Sequence, residues 1–265
     1  MSYFGFLLRF VVIPIAVLGA LAYRDRRRGR ALPDTLGVVR PWQALAGMAA
    51  IAVIYTTPWD NYLVANKVWW YDPAQVTGIT LGWVPLEEYT FFVLQTVMTG
   101  LWLFFLARRV RAHADMTPRP GLRAGAVAVV GLAWAASVMI LAAGWMPGNY
   151  LALELVWALP PIALQLAVGA DILWRYRRVV ALAIVSATLY LSGADAIAID
   201  SGTWTINPER SLGVLVGGVL PVEEVLFFLL TNTLLVFGLV LVLARETAAR
   251  LAGVTAWRRN KAAAA

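Results

Sequence analysis

Two copies of one short motif could perform acid–base chemistry. Pro-Leu-Glu-Glu at 85–88 and Pro-Val-Glu-Glu at 221–224 each begin a long apolar stretch, which places four carboxyl groups at the starts of two hydrophobic helices. Burial in hydrocarbon penalises the charged form of a carboxyl group, so such a group tends to keep a proton that it can donate. The candidate catalytic residues are Glu87, Glu88, Glu223 and Glu224.

One copy of the motif would have a purely structural explanation. Carboxylates in a first helical turn favour the positive end of the helix dipole, an effect of about 1 kcal/mol at most. However, the wider pattern Pro-x-Glu-Glu-x-x-Phe-Phe occurs twice, and only Lys67 and Arg210 offer basic partners in the loops on that side. Repetition with so few cationic partners favours a functional role.

Residues one or two turns beyond these glutamates are candidate substrate contacts, because positions three and four apart share a helix face. They combine phenyl rings with neutral amides, which can accommodate a carboxyl group that keeps its proton. Core packing explains the rings equally well. The residues are Phe92 and Gln95 beyond Glu88, and Phe228 and Asn232 beyond Glu224.

The loops on the same side add acidic and aromatic candidates. Asp60 and Asp195 precede these loops and could form a second set of carboxylates, with helix capping as the alternative. Trp69 and Trp204 lie within the loops, where tryptophan commonly anchors a protein at the membrane surface. Beside buried acids, ring faces can also stabilise a carbocation without trapping it. Glu154, inside a predicted helix, is a candidate proton relay.

The composition is typical of a membrane protein. Of 265 residues, 61% are hydrophobic and 14% charged, and the mean hydropathy is +0.72. This composition predicts an all-α polytopic membrane bundle of about seven transmembrane helices. The last stretch is so long that it must overshoot the bilayer or break near Gly217 and Gly218. The predicted spans are 3–21, 41–57, 81–107, 122–143, 151–173, 179–199 and 212–243.

Positive charge predicts the orientation of these spans. Arginine clusters follow the first, third, fifth and last of them, and Lys and Arg in short loops stay on the cytoplasmic side. We therefore expect an inner-membrane protein with its N-terminus outside the cell and its C-terminus in the cytoplasm. The net charge of +7 then reflects contact with anionic membrane lipid instead of nucleic acid, because no basic patch is interleaved with aromatics.

An internal repeat organises the chain. Residues 3–20 align with 150–167, the tryptophan loop at 69–73 aligns with 204–208, and the two Glu-Glu motifs align with each other. An extra helix between the copies keeps them parallel, and parallel repeats commonly enclose a site at their interface. The predicted organisation is a first three-helix repeat at 1–112, a linker with the fourth helix at 113–148, a second three-helix repeat at 149–246, and a basic cytoplasmic tail at 247–265.

Several other kinds of site are not predicted. The chain has no cysteine, which excludes disulfides, thiolate metal sites and a cysteine nucleophile. The single histidine, His113, lies in an arginine-rich loop, as is typical of a surface residue. No Gly-x-Gly-x-x-Gly follows a strand and no Walker-type loop occurs, so we predict neither a cofactor nor a metal.

The motifs resemble those of a known family. Pro-Leu-Glu-Glu-Tyr-Thr-Phe-Phe at 85–92 follows Pro-Trp-Asp-Asn at 58–61 and is echoed by Pro-Val-Glu-Glu at 221–224. The chain resembles the integral-membrane lycopene cyclases, which occur as paired small subunits or as fused two-copy chains. It also looks distantly similar to the UbiA-like intramembrane prenyltransferases. The second copy has Asp195-Ala196 in place of Asp60-Asn61, which puts equal catalysis by the two halves in doubt.

The resemblance implies a substrate and a mechanism. Linear lycopene would become a ringed carotenoid, with β-carotene as the expected product, the four motif glutamates as functional residues and no cofactor. A protonated Glu would protonate the terminal alkene, a nearby double bond would attack the tertiary cation, and a carboxylate would remove a ring proton. A homo-oligomer, or association with other carotenoid enzymes, is also open.

Two other functions stay open. A proton-coupled carrier would use the same acids to bind and release protons, in a polar cavity instead of an apolar passage to the lipid. A carotenoid hydratase or prenyltransferase would capture the same cation with water or with a prenyl chain. A diphosphate-dependent enzyme needs an Asp-rich magnesium motif, and no Asp-x-x-Asp occurs in the sequence.

Overall fold

The computed structural model describes residues 1–113 and 117–253, and helices make up most of it. The all-α prediction is confirmed. Parts of two predicted segments, 114–116 of the linker and 254–265 of the basic tail, lie outside the described residues. The α-helices are α1 (Tyr3–Leu7), α2 (Ile13–Arg27), α3 (Pro41–Ala65), α4 (Leu86–Ala107), α5 (Pro120–Ala142), α6 (Asn149–Arg175), α7 (Arg177–Asp200) and α8 (Val222–Leu243).

The polytopic membrane bundle is also confirmed, with six apolar spans in the described part of the chain where about seven were predicted. The predicted span at 41–57 lies in α3, which has 25 residues but is less apolar than the others because it carries Gln43, Thr56 and Asp60. The six helices long and apolar enough to cross a membrane are Tyr3–Arg27, Leu86–Ala107, Pro120–Ala142, Met146–Arg175, Arg177–Asp200 and Val222–Leu243.

The first of these spans is a continuous helix in which a π-helical turn at Leu8–Val12 joins α1 to α2. Pro14 follows the turn, and because proline has no N–H it cannot donate to the Phe10 carbonyl four residues earlier. The hydroxyl of Tyr190 on α7 donates to that carbonyl at 3.1 Å. A side chain from another helix thus satisfies a backbone group that proline leaves open within the membrane.

Helix α6 has the same arrangement. Pro161 lies inside it and cannot donate to the Trp157 carbonyl, and the hydroxyl of Tyr55 on α3 donates there at 2.8 Å. The three positions involved align with those around Pro14 in the predicted repeat. Each proline therefore has a tyrosine partner on a helix from the other half of the chain.

Short antiparallel strands lie at one end of the bundle, which we call the hairpin side. Two hairpins directly precede α4 and α8, and a third strand pair joins the two tryptophan loops, with Trp69 opposite Ile206. The strands are β1 (Trp69–Tyr71), β2 (Thr80–Leu81), β3 (Val84–Pro85), β4 (Trp204–Ile206), β5 (Leu215–Val216) and β6 (Leu220–Pro221).

Glycines make the turns of both hairpins. Gly82 has φ of 71°, and Gly217 and Gly218 have φ of 62° and 77°, a backbone region that glycine adopts without strain. The helices predicted to begin at 81 and 212 therefore begin later, at Leu86 and Val222. The predicted break near Gly217 and Gly218 is confirmed.

The two Glu-Glu helices pack against each other. Gln95 Nε2 on α4 donates to Thr231 Oγ1 on α8 at 3.1 Å, and Thr99 Oγ1 donates to Asn232 Oδ1 at 2.9 Å. Such interhelical hydrogen bonds replace the hydrophobic driving force that helices lack in lipid. The packing brings the starts of α4 and α8 together at the hairpin side, as the sequence predicts.

Ion pairs hold the opposite end of the bundle. Asp25, at the end of α2, accepts from Arg109 after α4 at 2.7 Å. Asp171, near the end of α6, accepts twice from Arg250 after α8, at 2.8 and 2.9 Å. Each pair ties the first helix of a predicted repeat to the chain that follows its third helix.

Candidate active site

A small cavity lies at the hairpin side, between the starts of α1, α4, α6 and α8. Its volume is about 50 Å³. Carboxyl groups and aromatic rings make up most of its wall, so the cavity combines acids with π surfaces. The predicted site residues that line it are Glu88, Glu224, Asp195, Trp69, Trp204 and Phe228.

Two phenols hold Glu88. Its Oε2 accepts from the Tyr3 hydroxyl at 2.5 Å and from the Tyr71 hydroxyl at 3.0 Å, and Trp69 Nε1 donates to the Tyr71 oxygen at 3.2 Å. Burial raises the pKa of the Tyr71 phenol well above its usual value, and the nearby Asp60 and Glu88 carboxyl groups raise it further. This phenol therefore keeps its proton, so two hydroxyl donors face one oxygen of Glu88.

Glu224 has different partners. The Tyr150 hydroxyl donates to its Oε1 at 2.8 Å. Asp195 lines the same cavity, and its Oδ1 accepts from Trp204 Nε1 at 2.9 Å, while Oδ2 has no hydrogen-bond partner within 1–113 and 117–253. Both carboxyl groups line one cavity, and two carboxyl groups close together in a buried site cannot both ionise cheaply. Glu224 and Asp195 are thus suited to hold one transferable proton.

The first glutamate of each motif faces the backbone of a loop. Glu87 Oε1 accepts from the Thr77 N–H at 2.6 Å, and Glu223 Oε1 accepts from the Leu212 N–H at 2.6 Å. Both side chains are fully buried. The structure therefore places the second glutamate of each motif on the cavity wall and the first against the segments ahead of the hairpins.

The other predicted site residues lie outside the cavity wall. Asp60 is 1% exposed, and neither of its carboxyl oxygens has a hydrogen-bond partner among the described residues. Phe92 is buried in the apolar core, and Gln95 joins α4 to α8. Asn232, also fully buried, donates to Thr188 Oγ1 at 3.2 Å. Phe92, Gln95 and Asn232 lie deeper between the helices than the cavity does.

A family model described as lycopene cyclase matches residues 32–106 and 148–244. The chain belongs to the lycopene cyclase family. The two matched stretches contain both Glu-Glu motifs together with Asp60 and Asp195, the carboxyl groups that the sequence singled out.

Curated relatives agree with this membership. The lycopene beta-cyclases of two Halobacterium salinarum strains are 39% identical over 247 residues, which cover 92% of this chain and 98% of each relative. The bifunctional lycopene cyclase/phytoene synthase of Gibberella fujikuroi is 34% identical over 234 residues, 86% of this chain and 38% of the relative. No solved structure matches the chain, so the distant likeness to UbiA-like proteins stays a prediction.

The site of this lycopene cyclase family member also contains residues that sequence reasoning missed. Tyr3 and Tyr71 donate to Glu88, and Tyr150 donates to Glu224. Tyr3 and Tyr150 occupy equivalent positions in the predicted repeat, just before two apolar stretches. Paired tyrosines in a chain with duplicated acids were the available signal. No sequence pattern predicted the fold of the tryptophan loop, which brings Tyr71 to the cavity.

Aromatic rings complete the wall. The Trp204 ring lies 4.9 Å from that of Tyr3 and 5.1 Å from that of Phe6, and the Phe91 and Phe228 rings lie 6.4 Å apart, measured between centroids. Ring faces attract a cation but supply no strong nucleophile that would capture it. The carboxyl groups and rings of this wall are therefore of the types that can protonate an alkene and stabilise a carbocation.

Proposed function

We propose that this chain is a lycopene cyclase, which converts the linear end groups of lycopene into ionone rings and forms β-carotene without redox chemistry. The observation that carries the proposal is the placement of Glu88 and Glu224 on one aromatic cavity, each from a different Glu-Glu helix and each with different hydrogen-bond partners. Membership of the family supports lycopene as the substrate.

Glu224 is the acid in this proposal, supplied with its proton through the pair it forms with Asp195. The π electrons of the terminal double bond take up the proton and form a new C–H bond. This step leaves a tertiary carbocation on the substrate and a carboxylate on the protein. The electrons of a neighbouring double bond then attack the cation, which closes the ring and moves the positive charge into it.

Glu88 is the base. Its carboxylate, held by Tyr3 and Tyr71, removes a proton from the ring, and the electrons of the broken C–H bond form the ring double bond. One proton is added and one is removed, so the product has the same formula as the substrate. The carbon that faces Glu88 decides where the double bond lies.

The remaining predicted residues have supporting roles in this proposal. Glu87 and Glu223 hold the loop segments ahead of the two hairpins and so fix the starts of the Glu-Glu helices. Phe92, Gln95 and Asn232 fix the spacing of α4 and α8, and Asp60, which lies outside the cavity wall, does not contact the substrate. Their substitution should disturb the cavity indirectly.

We also propose the two-repeat organisation, with repeats at 1–112 and 149–246, a linker at 113–148 and a tail at 247–265. It is supported by matched features of the two halves: a hairpin before each Glu-Glu helix, a tyrosine on each second glutamate and a proline–tyrosine pair in each first helix. The ion pairs of Asp25 and Asp171 follow the same pattern.

The proposed location is the inner cell membrane, with the N-terminus outside and the C-terminus in the cytoplasm, an arrangement in which α3 crosses the membrane as a seventh helix. The arginines at the end opposite the hairpins support this orientation, since they would meet anionic lipid there. Two protein partners are proposed, a second copy of this chain and other carotenoid enzymes. The fusion of cyclase and phytoene synthase in the fungal relatives supports the latter. Cross-linking in membranes followed by mass spectrometry tests both.

The enzymatic proposal is tested in a bacterium that accumulates lycopene. The intact chain should form ringed carotenoid, measured by chromatography of extracted pigment. Glutamine keeps the shape of glutamate but cannot donate its proton, so Glu88→Gln and Glu224→Gln should each lower ring formation by at least about 100-fold. The neighbouring variants Glu87→Gln and Glu223→Gln keep an oxygen that accepts the loop N–H, and should lower it by less than about threefold.

The amount of each protein in the membrane fraction is the control for folding. Unchanged lycopene in cells that contain the intact, folded chain would refute the cyclase. An equal loss in all four variants would instead refute the assignment of the second glutamate of each motif as the acting group.

A further inference from the structure

Two apolar grooves lie in the membrane-spanning part of the bundle. Groove 1, between α2, α4 and α7, has a volume of about 580 Å³, and groove 2, between α3, α6 and α8 with a contribution from α4, has a volume of about 170 Å³. Groove 1 is lined by Pro14, Val17, Met98, Trp102, Ala187 and Tyr190. Groove 2 is lined by Ala52, Tyr55, Trp157, Pro161, Gln165 and Phe227.

The grooves occupy equivalent places in the proposed repeat. Each is formed by the first and third helices of one repeat and the second helix of the other. The chain therefore contains two versions of one groove, with different side chains, which can be compared directly. The equivalent lining residues are Pro14 and Pro161, Ala187 and Ala52, and Tyr190 and Tyr55.

Groove 2 is narrow because large side chains occupy it. Trp157 is 8% exposed and stacks on Tyr55, with ring centroids 5.8 Å apart. Gln165 Nε2 donates to a backbone carbonyl of α8 at 2.8 Å, which fixes it between the helices. The equivalent positions on the first helix are Phe10 and Leu18, a smaller ring and an aliphatic chain.

Most polar atoms of groove 1 are already paired within the protein, and Arg9, which also lines it, donates from Nη1 to the Met1 sulfur at 3.3 Å. Trp102 Nε1 donates to Ser186 Oγ at 2.8 Å, the Tyr190 hydroxyl donates to a backbone carbonyl, and Thr99 Oγ1 donates to α8. A ligand with no polar groups therefore breaks no hydrogen bond on entering. A polar ligand would gain few partners for the hydrogen bonds that it loses.

Groove 1 continues the line of Glu88 along α4. Positions 88, 91, 98 and 102 lie on one helix face, as does position 95, although the Gln95 side chain lines groove 2. Glu88 and Phe91 line the carboxyl cavity, and Met98 and Trp102 line groove 1. At 1.5 Å per residue, Trp102 lies about 21 Å from Glu88 along the helix. A long, straight hydrocarbon in groove 1 can therefore direct its end toward the cavity. The matching face of α8 leads from the cavity to groove 2 through Phe227, so the larger volume of groove 1 decides between the two.

We propose that groove 1 binds the extended polyene chain of the substrate while one end group occupies the carboxyl cavity, and that groove 2 does not bind the chain. This inference rests on the proposed cyclase function. The cavity is much smaller than an end group, so the end group must displace part of the cavity wall as it enters. Because one groove binds the chain and one cavity binds an end group, only one end reacts at a time. The one-ring intermediate therefore leaves and binds again with its other end in the cavity.

The first test fills each groove at the equivalent alanine. Ala187→Phe places a ring across groove 1, and Ala52→Phe places the same ring in groove 2. A misplaced substrate costs about 100-fold in rate, which is the loss expected for Ala187→Phe, against less than about twofold for Ala52→Phe. Ring formation is measured in lycopene-producing cells and normalised to folded protein in the membrane.

Ala187 is buried, and a large ring there can prevent folding. A second pair of variants therefore tests the grooves at lipid-exposed positions. Val17→Trp fills groove 1 from its lipid-exposed edge, where Val17 is 54% exposed. Leu164→Trp is the matched control, because Leu164 is the equivalent residue of α6 and is 66% exposed. The first variant should block ring formation, and the second should leave it unchanged.

The second test detects binding without catalysis. The natural chain has no cysteine, so Ala187→Cys or Ala52→Cys provides one thiol in one groove. Purified variants in phosphatidylethanolamine–phosphatidylglycerol vesicles, with and without lycopene, are treated with an apolar organomercurial. Occupied sites are shielded in proportion to ligand over Kd, so lycopene should slow labelling of Ala187→Cys by about tenfold and leave Ala52→Cys unchanged.

The outcomes separate this inference from the enzymatic proposal. Protection of Ala187→Cys by lycopene supports groove 1 even if the intact chain forms no rings, a result that would refute only the cyclase. Equal protection at both thiols, or none at Ala187→Cys, refutes the groove assignment while ring formation stands. Normal ring formation in Ala187→Phe and Val17→Trp would also refute it, since groove 1 would then hold only lipid acyl chains.

Discussion

The two halves of the carboxyl cavity are built from equivalent parts, yet they bind their acids differently. Glu88 accepts from two phenols, whereas Glu224 accepts from one. The difference traces to one position of the tryptophan loop, where the first half has Tyr71 and the second has Ile206. A hydroxyl is present on one side of the cavity and a hydrocarbon on the other.

This one position also redirects the neighbouring tryptophan. Trp69 Nε1 donates to the Tyr71 hydroxyl, and Asp60 keeps no hydrogen-bond partner among the residues described. Ile206 offers no acceptor, and Trp204 Nε1 donates to Asp195 instead. A duplicated site thus becomes two unlike sites through one side chain. An acid and a base require such unlike environments, because two identical carboxyl groups would not differ in their hold on a proton.

The largest difference in ring formation between the two halves is expected when their aspartates are replaced. Asp195→Asn removes the carboxyl group that we propose supplies Glu224 with its proton and should lower ring formation by about 100-fold, the scale of general acid catalysis. Asp60→Asn, outside the cavity wall, should lower it by less than about tenfold. Pigment composition in lycopene-producing cells, normalised to membrane protein, measures both. A larger loss for Asp60→Asn than for Asp195→Asn would mean that the acid lies in the first half, near Glu88.

Exchanging the tyrosine and the isoleucine between halves tests the origin of the difference. Tyr71→Ile leaves Glu88 with Tyr3 alone and should lower ring formation by about tenfold, the equivalent of one hydrogen bond to a charged group at about 1.5 kcal/mol. Because Glu88 then turns more freely, the ring double bond should also appear at other positions, seen by chromatography with absorption spectra.

The reverse exchange is the matched control. Ile206→Tyr adds a hydroxyl beside Trp204 and should draw its N–H away from Asp195, with a loss of less than about threefold because Glu224 keeps Tyr150. Unaltered products from Tyr71→Ile would show that Tyr71 does not orient the base.

The sequence predicted the parts that repeat and missed the parts that differ. Apolar stretches, arginine loops and the Gly217–Gly218 break are local patterns, and the helices and the second hairpin follow them. The two Glu-Glu helices were paired correctly because both copies of the motif had to face one interface. Tyr71 was missed because only the pairing of β1 with β4 brings it to the cavity.

The division of labour within each Glu-Glu pair was also beyond the sequence. Adjacent helical residues point about 100° apart, but the motif does not say which of them faces inward. The loop backbone determines which glutamate faces inward. The N–H groups of Thr77 and Leu212 donate hydrogen bonds to Glu87 and Glu223, which leaves the second glutamates to line the cavity. Those loops have no sequence pattern that fixes their path.

Glu154 offers a smaller test, because it has no acidic counterpart in the first half, where Leu7 occupies the equivalent position. It is fully buried, and neither carboxyl oxygen has a partner in the described part of the chain. Glu154→Leu should stabilise the fold by about 1 kcal/mol, because a buried polar group without a partner is removed. If Glu154 relays protons to Glu224, ring formation should fall about fivefold, within the range of one lost hydrogen bond.

The two measurements on Glu154→Leu are independent. Resistance to unfolding in detergent reports the fold, and pigment analysis reports the relay. A stabilised variant with full activity would leave Glu154 without a role in catalysis and would remove one of the differences between the halves.

The proline–tyrosine pairs give the smallest expected effect and test the comparison far from the acids. Removing a hydroxyl leaves a backbone carbonyl unsatisfied, and hydrogen bonds within membranes contribute about 0.6 kcal/mol on average. Tyr55→Phe removes a 2.8 Å bond beside Pro161 in a regular helix, whereas Tyr190→Phe removes a 3.1 Å bond within a π-helical turn. We expect Tyr55→Phe to destabilise more, by about 1 kcal/mol, because the π turn gives the other carbonyl more freedom to find a second donor. Unfolding in mixed detergent measures the difference.

Tyr62→Phe is the control, since the Tyr62 hydroxyl has no hydrogen bond in the described chain and its ring is 54% exposed. Equal losses in the two pairs would show that the π turn does not relieve its proline.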